Sequence, residues 1–222
     1  MKKNLTKFLL VLAISFTFLQ SCSKDDNKTI PIDNTEVVTV GTQVWSAKSL
    51  NVDKYRNGDE IPQVQDRTQW ENLTTGAWCY YENNSANGAV YGKLYNWYAV
   101  MDPRGIAPTG YHVPSEQEWL DLSTFLGDET FRGGKMKETG TTHWASPNTA
   151  ATNSSGFTGL PGGYLFSYDS TFYGIGESGY WWSSTENESN TAVSLGLYHD
   201  NGIAGFYVAG KTDGFSVRFL KD

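Results

Sequence analysis

The sequence predicts an α+β fold with an N-terminal hairpin, two helices, a long loop region and C-terminal antiparallel strands. Short runs rich in β-branched and aromatic residues lie near both ends of the chain and are separated by tight turns. Between them, a helix with a clear start signal follows Ser115. With 222 residues and 39% hydrophobic content, the chain is long enough for one well-packed domain.

The N-terminal residues are predicted to lie outside this domain. A cluster of lysines precedes an apolar run over residues 8–19, which is too short to span a bilayer comfortably. The run ends in Leu-Gln-Ser-Cys, which resembles the lipobox of bacterial lipoproteins, whose cysteine is acylated and becomes the new N-terminus. We therefore expect a lipoprotein signal peptide over residues 1–21 and a membrane anchor at lipidated Cys22. The alternative is a secretory signal with an incidental cysteine.

The residues directly after Cys22 are Ser23, Lys24, Asp25 and Asp26. They resemble the acidic signal that sends lipoproteins of the Bacteroidetes group to the outer face of the outer membrane, although a solvated linker has a similar composition. We predict a flexible tether over residues 22–35, a folded domain over residues 36–222 and a lipid-anchored location at the cell surface. The formal net charge is −7 and no stripe of Lys or Arg is present, which argues against nucleic acid as a partner.

The first elements of the domain are a hairpin and a helix. Residues 37–40 and 43–45 are short β-rich runs around a turn at Gly41-Thr42, which is typical of a hairpin. A helix is predicted over residues 91–101, where four large apolar residues recur at helical spacing: Leu94, Trp97, Tyr98 and Met101.

The second predicted helix begins after Ser115. Glu118 lies three residues further on and completes a capping box, in which the serine oxygen and the glutamate each satisfy a backbone N–H. Its predicted apolar face consists of Trp119, Leu122, Phe125 and Leu126, and Gly127 is its stop signal. Residues 127–179 are rich in Gly, Ser, Asn and Thr, so we expect a long loop region that its aromatic residues keep ordered.

The densest aromatic stretch is GYWWSSTE at 179–186. Side chains alternate along a strand, so Trp181 and Trp182 should lie on opposite faces, one in the core and the other toward the loop cover or solvent. This stretch is interpreted as a fold hub. After it we expect an antiparallel meander of three strands with one wet face, the apolar face carrying Val193, Leu195 and Leu197, then Phe206 and Val208, then Phe215, Val217 and Phe219, while Ser216 and Arg218 point to water.

Six stretches, taken in order, resemble the Fibrobacter succinogenes major paralogous domain family: GTQVW (41–45), YGKLYNWYAV (91–100), APTGYHVPS (107–115), GFTGLPGG (156–163), WWSSTE (181–186) and GFSVR (214–218). The resemblance covers nearly all of the predicted domain. It implies an envelope or secreted protein of Bacteroidetes-like bacteria, with no established molecular activity. It also implies a C-type-lectin-like fold akin to the sulfatase-modifying-factor type.

One departure from the family pattern concerns cysteine. The family commonly has a cysteine after Ser-Val-Arg, where this chain has Phe219. If that cysteine normally pairs with the one matching Cys79, the disulfide is lost here, and burial of the phenylalanine ring would offset part of the loss. Cys79 lies in an apolar run and is expected to be buried rather than reactive.

Signals for catalysis or a bound metal are weak in this sequence. His112, His143 and His199 are its three histidines, and no two of them have a metalloprotease spacing. The lectin likeness implies calcium, yet Ser146-Pro147-Asn148 and Trp182-Ser183-Ser184 lack the acids of a lectin site. A hard cation would have to use Asp169, Glu177, Glu186 and backbone carbonyls, which are equally well explained as solvated loop carboxylates. We expect neither an enzyme nor a cofactor.

The function we expect is binding or adhesion at the cell surface, with glycans as the first ligand class. Aromatic side chains that would stack on sugar rings are Tyr164, Tyr168, Tyr173 and Tyr180, with Trp182 and Glu186 from the strand that follows. The first alternative is a structural or assembly lipoprotein that binds another envelope protein. The second alternative is an envelope hydrolase, which would need a cluster of His, Cys and acidic side chains.

Overall fold

The computed structural model describes residues 36–222. The expected signal peptide, the lipidation site at Cys22, the export signal and the tether lie outside the described residues. The described strands are β1 (Val37–Val40), β2 (Gln43–Ser46), β3 (Trp78–Cys79), β4 (Leu94–Tyr95), β5 (Tyr111–His112), β6 (Gly162–Phe166), β7 (Thr171–Ile175), β8 (Ser178–Glu188), β9 (Thr191–Tyr198), β10 (Ala204–Gly210) and β11 (Leu220–Lys221). The α-helices are α1 (Arg67–Glu71), α2 (Ser85–Tyr91), α3 (Trp97–Val100), α4 (Glu116–Leu126) and α5 (Arg132–Met136).

The α+β class is confirmed, and the strands form three sheets. A four-stranded sheet has the order β1-β2-β11-β5, a five-stranded sheet the order β10-β9-β8-β6-β7, and β3 pairs with β4. The predicted hairpin is confirmed, because β1 and β2 pair antiparallel around a turn in which Gly41 has a φ of 62°. In the five-stranded sheet β6 runs parallel to β8, whereas the other three pairs of neighbouring strands are antiparallel.

The helix predicted over residues 91–101 is wrong. Helix α2 ends at Tyr91, and Gly92 adopts a φ of 82° that stops it. The next residues form β4, whose Tyr95 is fully buried, and a new short helix starts where the Asn96 side chain accepts a hydrogen bond from the Ala99 backbone N–H. Tertiary pairing of β4 with β3 therefore overrides the helical spacing of the aromatic residues.

The prediction for α4 is confirmed. The Ser115 hydroxyl accepts from the Glu118 backbone N–H, and the Glu118 carboxylate accepts from the Ser115 backbone N–H, so the capping box is complete. Trp119, Leu122 and Leu126 are buried as expected. Phe125 is not, since 64% of its surface is exposed, and its ring lies over Gly41 at the edge of the first hairpin instead of entering the core.

The region predicted as a long loop contains three regular elements. Helix α5 lies near its start, and β6 and β7 form a hairpin near its end. At residues 137–161 the chain is irregular as expected, and the buried ammonium of Lys137 holds it in place. Lys137 donates hydrogen bonds of 2.8 Å each to three backbone carbonyls, those of Thr149, Tyr198 and Asn201.

Two of the three strands expected after the GYWWSSTE stretch are confirmed, since β9 and β10 pair antiparallel, and β9 also pairs antiparallel with β8. The single wet face is wrong for β9, because the six residues from Ala192 to Leu197 are buried on both sides. The third expected strand is also wrong, because residues 214–217 do not pair with β10. Gly214 and Ser216 bridge to Leu165 on β6 and Trp181 on β8, so this segment lies between two strands that diverge. Both sides of it are covered, which buries Ser216 and Arg218 as well.

Trp181 and Trp182 lie on opposite faces of β8, as predicted, and both are buried. The Trp182 ring packs 4.4 Å from Phe215, and its indole N–H donates to the Tyr95 carbonyl. Trp181 packs against Phe157 on the other side, and its indole N–H donates to the Ser49 hydroxyl. Each ring belongs to a separate core cluster, so the stretch acts as the fold hub.

Cys79 is buried, as predicted, and burial raises the pKa of its thiol. Phe219 is also buried, but in a different core cluster, where it packs 5.1 Å from the ring of Tyr111. The structure therefore gives no support to a disulfide between these two positions, although burial of the phenylalanine ring is confirmed.

The ring of His112 links the capping box to Asp222. Its Nε2 lies 2.8 Å from Glu118 and its Nδ1 lies 2.7 Å from Asp222. Burial alone would lower the pKa of His112, but the hydrogen bonds to the two carboxylates outweigh it, and the pKa is raised above 6.5.

We expect this raised pKa to make stability depend on pH. The contribution of His112 is fully present below about pH 6.5 and is lost as the pH rises through the raised pKa. It should be on the order of 1 kcal/mol or less, because the ring is partly solvated. Urea unfolding across this range should show wild type and His112→Gln converging at the alkaline end. A constant difference between the two proteins would contradict the linkage.

Candidate functional site

Five tyrosines form a continuous row across one face of the five-stranded sheet, here called the tyrosine row. Tyr173 lies opposite Tyr164, and the pairing of Gly163 with Gly179 puts Tyr164 on the same side as Tyr180. Tyr180 lies opposite Gly196, two residues before Tyr198, so these four tyrosines share one face. Tyr207 on β10 lies opposite Ser194 and completes the row. The members are therefore Tyr173 (β7), Tyr164 (β6), Tyr180 (β8), Tyr198 (β9) and Tyr207 (β10).

The rings of the row contact one another from end to end. Centroid distances are 5.8 Å for Tyr173–Tyr164, 5.0 Å for Tyr164–Tyr180, 5.8 Å for Tyr180–Tyr198 and 5.9 Å for Tyr198–Tyr207. Most of these pairs meet edge to face, with interplanar angles between 69° and 84°. This geometry is favourable for aromatic pairs, so each ring of the row is held by its neighbours.

Two glycines create the space in which the rings lie. A Cβ on Gly196 would come within 2.8 Å of Tyr207 and 2.9 Å of Tyr180, and a Cβ on Gly205 would come within 2.6 Å of the Tyr207 hydroxyl. Any side chain at these positions would push the rings off the sheet. Beneath the row, Phe215 stacks on Tyr180 at 5.1 Å and in turn contacts the buried Trp182.

The hydroxyl groups of the row are uncharged at neutral pH. Burial, together with the bonded Tyr198 hydroxyl, raises the pKa of Tyr207 to about 12, and burial raises the pKa of Tyr180 and Tyr164 as well. The Tyr180 and Tyr198 hydroxyls are hydrogen-bonded to each other. At the β7 end the Tyr173 hydroxyl donates to Asp169 at 2.6 Å. The row thus presents neutral rings and hydroxyls with one carboxylate at its end.

The structure brings together three of the six predicted binding residues. Tyr164, Tyr173 and Tyr180 belong to the row. Tyr168 does not, because it lies in the β6–β7 turn, 87% exposed and 6.1 Å from the ring of Phe166.

Trp182 is not accessible to a ligand, because its ring is fully buried. It packs against Phe215, which in turn stacks on Tyr180 of the row. Glu186 lies further along β8, where its carboxylate accepts from the ammonium of Lys211. Sequence reasoning missed Tyr198 and Tyr207. The alternation of Ser194, Gly196 and Tyr198 was a usable signal, since small residues followed by an aromatic at period two leave room for a neighbouring ring.

The three histidines lie in separate parts of the domain, and each has a hydrogen-bond partner there. His112 bonds to carboxylates beside α4, the Nδ1 of His143 lies 2.8 Å from Glu138, and the Nδ1 of His199 lies 3.2 Å from the Ser146 carbonyl. Within residues 36–222, no group of three or more His, Cys, Asp or Glu side chains is arranged to hold a metal ion. In the same part of the chain no helix has the length and apolar character needed to cross a bilayer.

Comparison with known proteins identifies one family. The model of the Fibrobacter succinogenes major domain matches residues 38–221, which is almost all of the described chain. No curated protein and no solved structure matches the sequence.

Proposed function

The chain belongs to the Fibrobacter succinogenes major domain family, and on this premise we propose that it is a surface-exposed outer-membrane lipoprotein whose tyrosine row binds glycans. The lipobox that ends in Cys22 and the acidic residues after it support the location. The family resemblance and the α+β architecture support a C-type-lectin-like fold. The function proposed is attachment to carbohydrate, without chemical change of the ligand.

The tyrosine row is the observation that carries this proposal. Aromatic rings with polar tips suit sugars, because sugar C–H groups pack on ring faces while hydroxyls exchange hydrogen bonds with the phenols. The two ends of the row are the most accessible, with Tyr173 40% and Tyr207 38% exposed. Five adjacent strands span about 20 Å. This length fits an extended oligosaccharide of several units better than a single sugar.

A second candidate function is contact with another envelope protein. It is favoured by exposed apolar side chains near α4, α5 and β10: Leu120, Phe125, Phe131, Ile203 and Val208. The Phe131 backbone lies against Gly202, which precedes Ile203 in the chain. Such a surface is typical of a protein contact rather than of sugar binding. Cross-linking in intact membranes would identify this partner independently of glycans.

Tyr207→Ala should weaken glycan binding about tenfold, because it removes an exposed ring at one end of the row. A glycan array would identify the ligand, and calorimetry with that oligosaccharide would measure the change. Tyr168→Ala is the matched control, since it removes a more exposed tyrosine that lies outside the row. Equal losses in both variants, or no glycan bound by the wild-type protein at millimolar concentration, would contradict a site on the row.

A further inference from the structure

A concave site, distinct from the tyrosine row, lies on the opposite side of β8, where the Trp181 indole N–H donates to the Ser49 hydroxyl. It is a cavity of about 450 Å³, within the usual range for small-molecule sites. Three of the six stretches that carry the family resemblance contribute residues to its lining, so it is here called the motif cavity. Its lining includes Tyr91 and Gly92 from the stretch at 91–100, Thr158 and Leu160 from the stretch at 156–163, and Arg218 from the stretch at 214–218.

Arg218 is the most unusual residue of the motif cavity. Its side chain is 1% exposed, and its guanidinium lies 4.3 Å from the ring of Phe157. Its terminal nitrogens donate to the backbone carbonyls of Ser46, Phe157 and Thr158. The Nε–H is buried and has no acceptor among the described residues. Burial lowers the pKa of Arg218 to about 9, so the group remains a cation at neutral pH.

The other charged groups that line the motif cavity each have a side-chain partner within the protein. Lys48 forms a 2.8 Å ion pair with Glu36 at the rim. Glu138 accepts from the imidazole of His143 at 2.8 Å. Arg218, in contrast, has only carbonyl acceptors, and in the described part of the chain it forms no ion pair with a carboxylate. Arg218 is therefore a buried cation of this site that lacks a carboxylate partner in the described part of the chain.

We propose that the motif cavity binds a small hydroxylated carboxylate, of the sugar-acid class, whose carboxylate pairs with Arg218. A buried cation without a counter-charge is costly, and an anionic ligand removes that cost while giving the free Nε–H an acceptor. The Ser49 hydroxyl and the Asn51 side chain are polar partners for ligand hydroxyls, and the Tyr91 ring and Leu160 supply apolar walls. This site is separate from the tyrosine row and takes a charged ligand instead of a neutral one.

Calorimetry with the purified protein tests this proposal. D-glucuronate and D-galacturonate are the probes, and D-glucose and D-galactose are their neutral counterparts. We expect at least one acid to bind about tenfold more tightly than its neutral counterpart, because a hydrogen bond to a charged group is lost with the carboxylate. Added salt should weaken the binding of the acid.

Substitutions at α2 locate the binding without disturbing Arg218, whose replacement threatens the fold. Ala89 is exposed and lines the motif cavity, so Ala89→Trp should block it and weaken sugar-acid binding about tenfold. Ala86 is exposed on the same helix but is not part of the lining, so Ala86→Trp should bind like wild type.

The proposal is overturned if neither acid binds at millimolar concentration, if neutral and acidic sugars bind equally, or if Ala89→Trp leaves the affinity unchanged. Failure of the tyrosine row as a glycan site would not affect these outcomes. Tyr207→Ala reports on the row, and Ala89→Trp reports on the motif cavity.

Discussion

Replacement of Lys137 by methionine should lower the free energy of unfolding by about 3 to 5 kcal/mol. The Lys137 ammonium is the shared donor for the carbonyls of Thr149, Tyr198 and Asn201, and the side chain is fully buried. Methionine fills a similar volume but donates no hydrogen bond, so three backbone carbonyls lose their donor. Urea unfolding measures the change, and a loss of this size is a large part of the stability of a typical domain.

Lys54→Met is the control for this experiment. Lys54 is exposed, so its replacement should change the free energy of unfolding by less than about 0.5 kcal/mol. The role assigned to Lys137 is wrong if the two variants unfold at the same urea concentration. A strongly destabilised Lys137→Met beside an unchanged Lys54→Met identifies the ammonium as the group that holds the backbone at Thr149, Tyr198 and Asn201 against the end of α5.

Trp182→Ala should cost about 3–5 kcal/mol of stability and should also weaken glycan binding, because its ring lies beneath Phe215 and the tyrosine row. Trp181→Ala is the matched variant on the other face of the same strand. It should lose a similar amount of stability, since its ring is equally buried, but it should leave the row intact.

Urea unfolding measures the loss of stability, and calorimetry with the array-identified oligosaccharide, in buffer in which each variant is folded, measures the loss of binding. If Trp181→Ala reduces glycan affinity as much as Trp182→Ala does, the ligand is not held by the face that carries the tyrosines. If neither variant loses stability, the interpretation of the stretch as a fold hub is wrong.

Elements that depend on neighbouring residues could be predicted from the sequence. The capping box of α4 and the hairpin of β1 and β2 each use interactions within a few residues, and both are confirmed. The prediction of a helix over residues 91–101 is wrong because β4 forms through its pairing with β3, a contact that helical spacing cannot reveal. The prediction of a half-solvated strand at residues 214–217 is wrong for a similar reason. Polar and apolar residues alternate there as in a strand with one solvated face, but both sides of the segment are buried.

The candidate site was predicted in part for the same physical reason. Tyr164, Tyr173 and Tyr180 were chosen as aromatic residues in or beside the loop region, and they meet because β6, β7 and β8 are neighbours. Tyr198 and Tyr207 complete the row only through the register of β9 with its neighbours, which a single sequence does not contain. Arg218 was expected in water because its alternation partners are apolar, but the carbonyls of distant segments solvate it instead.

Residues 214–220 connect segments that are far apart along the chain. The Ser46 and Leu50 backbone N–H groups donate to the Phe219 and Val217 carbonyls, and Leu220 pairs with both Trp45 and His112. The four-stranded sheet is therefore completed by residues far downstream of its first hairpin, and the bridges to β6 and β8 come from the same C-terminal segment. Folding of such a topology is slow, because long loops must close before their contacts form. The first sheet therefore cannot close in a nascent chain before synthesis has passed residue 220.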